Sequence, residues 1–347
     1  MRPSWLLLAA MTATAARADA IDDTVRRSMA ERKIPAVAVV VVRNGVIVKN
    51  TAYGVSDLEL AVPATTGTIF QLASSSKPFA GVAVALLADE GKLAFDQSIG
   101  ELLPGLPESW SAITVRQLLD HTSGLPDVFS DIAAGTMRAE GRDALLRALY
   151  ETPLADTPGT AWRYEQTGYL LAQLLVETLS GVGYEEFVEK RIFRPAGISG
   201  ASFGDYYAIV PKRASYYKGG SDGPLRHYLF PFPQFLHTAA GINATAAGVG
   251  RFLTAVFEKG LIKKASRDTM LEPARLSDGD TRDYACGWVL YSVGGVRGYG
   301  HSGGMSSAFG AFPEQRLAVV VLTNLNGGGV EELFEAVARV ALARPGA

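Results

Sequence analysis

Phe70-Gln71-Leu72-Ala73-Ser74-Ser75-Ser76-Lys77 runs almost directly into an apolar stretch from Phe79 to Leu87. The spacing predicts a helix from Phe79 to Glu90, with Gly91 placed to stop it. Ser74 and Lys77 then stand three positions apart at the helix start, and positions i and i+3 share a face. The Lys77 amine therefore comes beside the Ser74 hydroxyl. A neutral serine is a poor nucleophile, and an adjacent amine that accepts or relays its proton makes it a usable one. Ser74 also suits the N-cap of this helix, a purely structural role. The same S-x-x-K spacing recurs at Ser215-Tyr216-Tyr217-Lys218, in an aromatic, Gly-rich stretch with no such helix behind it.

Outward from that helix the chain is strand-rich at both ends. Ile34 to Val42 and Val46 to Thr51 flank Arg43-Asn44-Gly45, which reads as two strands around an Asn-Gly turn. Helical pattern follows at Val115 to Asp120, Arg142 to Glu151, Gly168 to Leu179 and Gly248 to Lys259. Tyr284 to Ser292, Gly295 to Tyr299, Ser307 to Phe312 and Leu317 to Thr323 read as short strands, and Glu331 to Leu342 as a closing helix. The expected fold is α+β: one antiparallel sheet formed by both ends of the chain, terminal helices packed on it, and a mainly helical insert beside it. The α/β part covers about 21–78 and 240–347 and the helical part about 79–239. Gly219-Gly220-Ser221-Asp222-Gly223-Pro224 reads as a loop.

With 347 residues, 48% of them hydrophobic, the chain suffices for an ordinary buried core. Arg2, the apolar run Trp5 to Met11 and the small-x-small stretch Ala18-Asp19-Ala20 read as a signal peptide over residues 1–20. The mature chain then starts at Ile21, and a periplasmic or secreted protein is expected, with no stable membrane span. A formal net charge of −2 offers nothing to nucleic acid. The lone Cys286, inside the apolar run Tyr284 to Leu290, reads as a buried structural thiol. His121, His227 and His237 show no metal-ligand spacing, so neither metal nor cofactor is expected.

Two further stretches carry chemistry. In Pro158-Gly159-Thr160-Ala161-Trp162-Arg163-Tyr164-Glu165-Gln166, Tyr164 lies on a loop before a helix, where a phenol can serve as a base or remain structural. Gly300-His301-Ser302-Gly303-Gly304 fits the G-x-S-x-G pattern of a nucleophile elbow, but strand-like sequence follows Ser302 and no histidine lies downstream. Gly219 to Gly223 fits the same pattern without the preceding strand or following helix.

Taken together, in this order and with Glu90-Gly91-Lys92-Leu93, Ile113 to Leu125 and Ala239-Ala240-Gly241-Ile242, the segments resemble the serine β-lactamase and penicillin-binding-protein superfamily. The nearest branch is the class C one, which includes DD-peptidases, D-amino-acid amidases and family VIII esterases. The resemblance spans nearly all of 21–347 as one hydrolase domain. It implies that Ser74 is the acylated nucleophile, Lys77 its proton partner, Tyr164 the base or relay, and His301 the occupant of the lysine position in the family's K-T-G box. It also implies an oxyanion hole from the backbone N–H groups of Ser74 and Gly304. Gln166, Ser302 and Gly303 would contact substrate.

Two positions depart from the family pattern. Gln166 stands where Asn is usual, and His301, less cationic than lysine near neutral pH, should attract a substrate carboxylate less. The expected function is an exported serine hydrolase of the esterase or D-amino-acid amidase type. A DD-peptidase or weak β-lactamase, and a non-catalytic cell-wall-binding homologue, are the alternatives. The partner is a small-molecule ester, amide, D-amino-acid peptide or β-lactam, and the sequence carries no signal of oligomeric state. Phe203 to His237, rich in Tyr, Phe and Pro, is a candidate wall for an apolar acyl pocket.

Overall fold

The structure, a computed structural model, describes residues 20–130, 141–204, 207–220, 223–229, 232–304 and 306–343. The expected signal peptide, except its last residue, lies outside them. The described chain opens with helix α1 (20–32), which the apolar patterns above do not single out. Ile21 and Val25, one turn apart, are its buried residues, and Asp23 and Arg27 lie exposed.

The hairpin forms as the Asn-Gly signal predicts. β1 (Ala36–Arg43) pairs antiparallel with β2 (Val46–Asp57), and Asn44 and Gly45 both take positive φ, 51° and 72°, as a tight two-residue hairpin turn requires. β3 (Val62–Pro63) lies at the edge. From the other end of the chain come β4 (Val289–Val293), β5 (Val296–Gly303), β6 (Ser307–Phe312) and β7 (Leu317–Thr323). Together they make a seven-stranded sheet in the order β3-β2-β1-β7-β6-β5-β4, with β1 and β7 pairing the two ends of the chain.

Both faces of the central strands are covered, which explains why β1 is an unbroken apolar run of Val and Ala up to Val42 rather than an alternation with polar residues. Val37, Val39 and Val41 pack with α1 and the closing helix α5 (Val330–Leu342). Ala38, Val40 and Val42 face the helical layer, which includes α2 (Lys77–Asp89), α3 (Thr167–Ser180) and α4 (Ala246–Phe257). Phe79 of α2 stacks on Phe252 of α4 at 3.7 Å between ring centroids and meets Phe193 edge-on.

Three details differ from the sequence expectations. β4 starts at Val289 rather than Tyr284, because Ala274 and Tyr284 to Leu290 bond among themselves and leave Tyr284 to turn inward. β5 continues past Tyr299 to Gly303, carrying the His301-Ser302-Gly303 stretch onto a strand end. The Gly219 to Pro224 stretch is part of a hairpin, Tyr217–Gly220 with Gly223–His227, rather than only a loop.

Candidate active site

Ser74 lies in a single 3-10 turn, Ala73–Ser76, ahead of α2. It does not cap α2: the N-cap position belongs to Ser76, which makes no capping bond of its own. The turn is instead stitched to its surroundings by Ser75 and Ser76 and by Ser307 of β6. Ser75 Oγ donates to the His301 carbonyl oxygen at 3.4 Å, Ser307 Oγ donates to Leu72 O at 2.7 Å, and Ser76 Oγ accepts from Ile242 N–H at 3.1 Å. Ala73 has φ of 49°, a left-handed conformation that costs a non-glycine residue about 1 kcal/mol or more. These bonds hold that strain in place and present Ser74 at the head of α2.

Lys77, fully buried, directs its three ammonium protons to three acceptors. They are Gln166 Oε1 at 2.6 Å, the Ala239 carbonyl at 3.3 Å and Ser74 Oγ at 3.5 Å. Its Nζ also lies 4.8 Å from the ring centroids of Tyr164 and Tyr169. Thus α2, the loop before α3 and the 239–242 segment converge on one amine. Tyr164 is 38% exposed, so the phenol of the second motif opens to solvent beside that amine.

The Gln166 side-chain oxygen is taken up by Lys77 while its backbone N–H donates to Asp127 Oδ1 at 3.2 Å. His301 is less cationic still than the sequence suggests. It is 3% exposed and its Nδ1 bonds the Ser302 carbonyl, which only accepts, so the proton sits on Nδ1. Nε2 then accepts from the Tyr284 hydroxyl at 3.0 Å. Burial, with the Lys77 charge acting in the same direction, lowers its pKa to about 3. His301 is therefore neutral at neutral pH and offers no positive charge to a substrate carboxylate.

The Ser302 hydroxyl hydrogen-bonds Tyr291, whose ring packs against Phe334 of α5 on the other side of the sheet from Lys77. Its contribution to the site is through the strand, not the hydroxyl. Gly303 is packed against the Ala73–Ser76 turn so closely that a Cβ there would lie 2.2 Å from Leu72 O and 2.8 Å from Ser74 N. Gly304 follows with φ of 54°, where a Cβ would come 3.0 Å from Ala73 Cβ. The strand end and the helix head thus bring the Ser74 and Gly304 backbones together.

Beside Ser74 a cavity of about 170 Å³ is lined by Gln71, Ala73, Tyr216, Tyr228, Phe232, Gly304 and Ser306. Three of its walls come from the aromatic 203–237 stretch.

The sequence motifs assign no role to several further residues here. Tyr284 and Tyr169 are wholly buried around His301 and Lys77, and Tyr169 OH donates to Leu119 O at 2.7 Å. His121, at φ 67°, packs its ring 4.3 Å from that of Tyr164 and accepts the Glu165 N–H on Nδ1 at 3.3 Å. Burial and the nearby Lys77 charge hold its pKa well below the usual value. The other expectations find their places elsewhere. Ser215 Oγ donates to Asp57 Oδ2 at 2.7 Å, away from any helix start, His227 and His237 pair with Glu59 and Glu185, and Cys286 is buried with its thiol pKa pushed up. Among the described residues no cluster of His, Cys, Asp and Glu is arranged to hold a metal, and no helix is long and apolar enough to cross a membrane.

The family described as Beta-lactamase matches residues 21–343. The chain belongs to this family, within the serine hydrolase superfamily. Penicillin-binding protein 4* of Bacillus subtilis (strain 168) is 30% identical over 306 residues, 82% of this chain and 67% of that one. Protein flp of Staphylococcus aureus (strain COL) is 23% identical, over 91% of this chain and 64% of its own. The chain spans about two thirds of the length of these curated relatives. Among solved structures, D-amino acid amidase from Ochrobactrum anthropi SV3 superposes with a TM-score of 0.80 at 22% identity, covering 93% of this chain and 98% of that one. EstCE1, a hydrolase with promiscuous acyltransferase activity, does so with 0.79 at 20% identity, covering 95% and 99%. At such identities the structural likeness establishes the fold, which is the α+β arrangement expected from the sequence.

Proposed function

We propose that this β-lactamase-family protein is an exported serine hydrolase that cleaves small esters or amides through an acyl-enzyme on Ser74. The observation that carries the reading is the Lys77 ammonium, 3.5 Å from Ser74 Oγ with its other protons committed to Gln166 and Ala239. In the reactive form the Lys77–Tyr164 pair has given one proton to solvent, and it takes up the Ser74 proton as Ser74 Oγ bonds to the substrate carbonyl carbon. The carbonyl oxygen becomes an oxyanion between the N–H groups of Ser74 and Gly304. The carbon–oxygen or carbon–nitrogen bond then breaks, and the leaving group takes the proton back from the pair. Water repeats the sequence on the acyl-enzyme, releasing the acid and restoring Ser74.

Two observations favour esters and amides over β-lactams and carboxyl-terminal peptides. His301 is uncharged, so no cation at that position attracts a substrate carboxylate. The cavity beside Ser74 has rings of Tyr216, Tyr228 and Phe232 and no charged lining residue, which suits a small apolar acyl group. Export rests on Arg2, the apolar run Trp5 to Met11 and Ala18-Asp19-Ala20.

Intact-protein mass spectrometry tests the reading, after incubation of wild type and Ser74→Ala with a fluorophosphonate, an activated ester and a penicillin. An adduct on wild type alone, with turnover of the ester and not the penicillin, is expected. Equal adducts on both proteins would overturn the assignment of Ser74. The same spectra read the N-terminus of protein recovered outside the cytoplasm, expected at Ile21.

A further inference from the structure

Between Tyr164 and Gln166 stands a buried glutamate that the reaction above does not use. Glu165 is 1% exposed. Both its carboxyl oxygens accept from the Gly168 backbone N–H, at 3.1 and 2.9 Å, which satisfies an otherwise unpaired donor in the first turn of α3. Ser123 Oγ donates to Oε1 at 3.4 Å. The carboxyl is closely housed, since a Cβ at Gly168 would stand 2.8 Å from that same Oε1 and 2.3 Å from Leu118 O. On either side of it, the Tyr164 ring rests on His121 and the Gln166 N–H is held by Asp127.

We propose that Glu165 is a positioning residue of the active site: by tying α3 and Ser123 to the loop it holds Tyr164 and Gln166 against Lys77, and its ionisation slows attack by Ser74. The inference rests on the serine-hydrolase reading.

Burial raises the Glu165 pKa to about 8, with Asp127 acting in the same direction and the Gly168 and Thr167 N–H groups and the Lys77 charge opposing. At neutral pH the carboxyl is an uncharged wedge. Above about pH 8 it becomes an anion in a low-dielectric interior, where charges act strongly on one another. The groups facing it are Lys77 from α2, Asp127 and His121 from the chain between α2 and α3, and the α3 N-terminus. His121 is neutral and adds no charge. The new anion therefore acts chiefly on the Lys77 charge, and its pull on that amine opposes attack by Ser74.

The test is the rate at which a fluorophosphonate labels Ser74 between pH 6 and 10, followed by intact mass for wild type, Glu165→Gln and Glu165→Ala. Wild type should label about tenfold more slowly at pH 9.5 than Glu165→Gln, after allowance for the rate ratio at pH 7. Glu165→Gln, an uncharged amide of similar shape, should stay within about threefold of wild type at pH 7 and lack the alkaline fall. Glu165→Ala should lose about 10² at pH 7 through misplacement of Tyr164 and Gln166. If Glu165→Ala does not fold, the glutamine variant decides alone. An alkaline fall retained in Glu165→Gln would overturn this inference and leave the hydrolase reading intact. Absence of labelling at Ser74 in wild type would overturn both.

Discussion

The Gln166 side-chain oxygen holds the Lys77 ammonium at 2.6 Å, nearer than Ser74 Oγ at 3.5 Å. The amide therefore sets where the amine sits, and Ser74 meets an amine that is already placed. Removing the acceptor leaves a buried ammonium with a missing partner, which is costly in a fully enclosed site.

Gln166→Leu should lower kcat for an activated ester by about 10² with the protein still folded, and Gln166→Asn should fall between it and wild type, since the shorter side chain moves the oxygen away from Lys77. Steady-state kinetics with far-UV circular dichroism on the same samples checks this. A leucine variant with wild-type kcat would mean that Ala239 O suffices to place Lys77.

Gly303→Ala should abolish activity, because the added Cβ would overlap Leu72 O and the backbone nitrogens of Ser74 and Ser75. Displacing the Ser74 N–H alone is worth about 10² to 10³ in rate. Gly183→Ala is the control, since a Cβ there meets nothing within 4 Å. Ester turnover by both variants gives the answer, and a Gly303→Ala protein within tenfold of wild type would contradict the packing of the strand end on the nucleophile turn.

The buried histidines predict an acid-labile fold. His301 is lowered to about 3 and His121 well below its usual value, chiefly by burial. Below about pH 6.5 the unfolded chain takes up protons that the folded one refuses, so stability falls as pH drops from about 6.5 toward 3, by at most about 1.4 kcal/mol per pH unit for each such group. Asp120 and Glu165, raised to about 6 and about 8, act in the opposite sense, so a difference measurement is needed. Urea midpoints at pH 7, 6 and 5 should decline less steeply in His301→Gln than in wild type. Equal slopes would show that His301 is charged in the fold.

Much of this architecture is local and was legible for that reason. Asn44-Gly45 specifies its own turn, and the apolar spacing of Val330, Leu333, Phe334, Val337 and Ala341 writes one face of α5 into the chain. Helix α1 was missed although Ile21, Val25 and Met29 recur at intervals of four, because the residues just before it read as a cleavage boundary. Lys77 could be placed near Ser74 because three positions of a helical turn bring them together whatever the rest of the molecule does. The 203–237 stretch was legible as apolar, but not that three of its rings would line the cavity at Ser74.

The sequence by itself determined the strands, the main helices, and the pairing of a serine with a lysine, since each depends on residues a few positions apart. It also carried the family pattern that links Tyr164 and His301 to them. Only the tertiary structure decided the protonation and partners of those groups. His301 is neutral because burial, with the Lys77 charge beside it, makes it so, and Lys77 is fixed by Gln166 and Ala239, 89 and 162 positions away. Burial and distant hydrogen-bond partners are properties of the assembled chain, and they set how these groups carry charge.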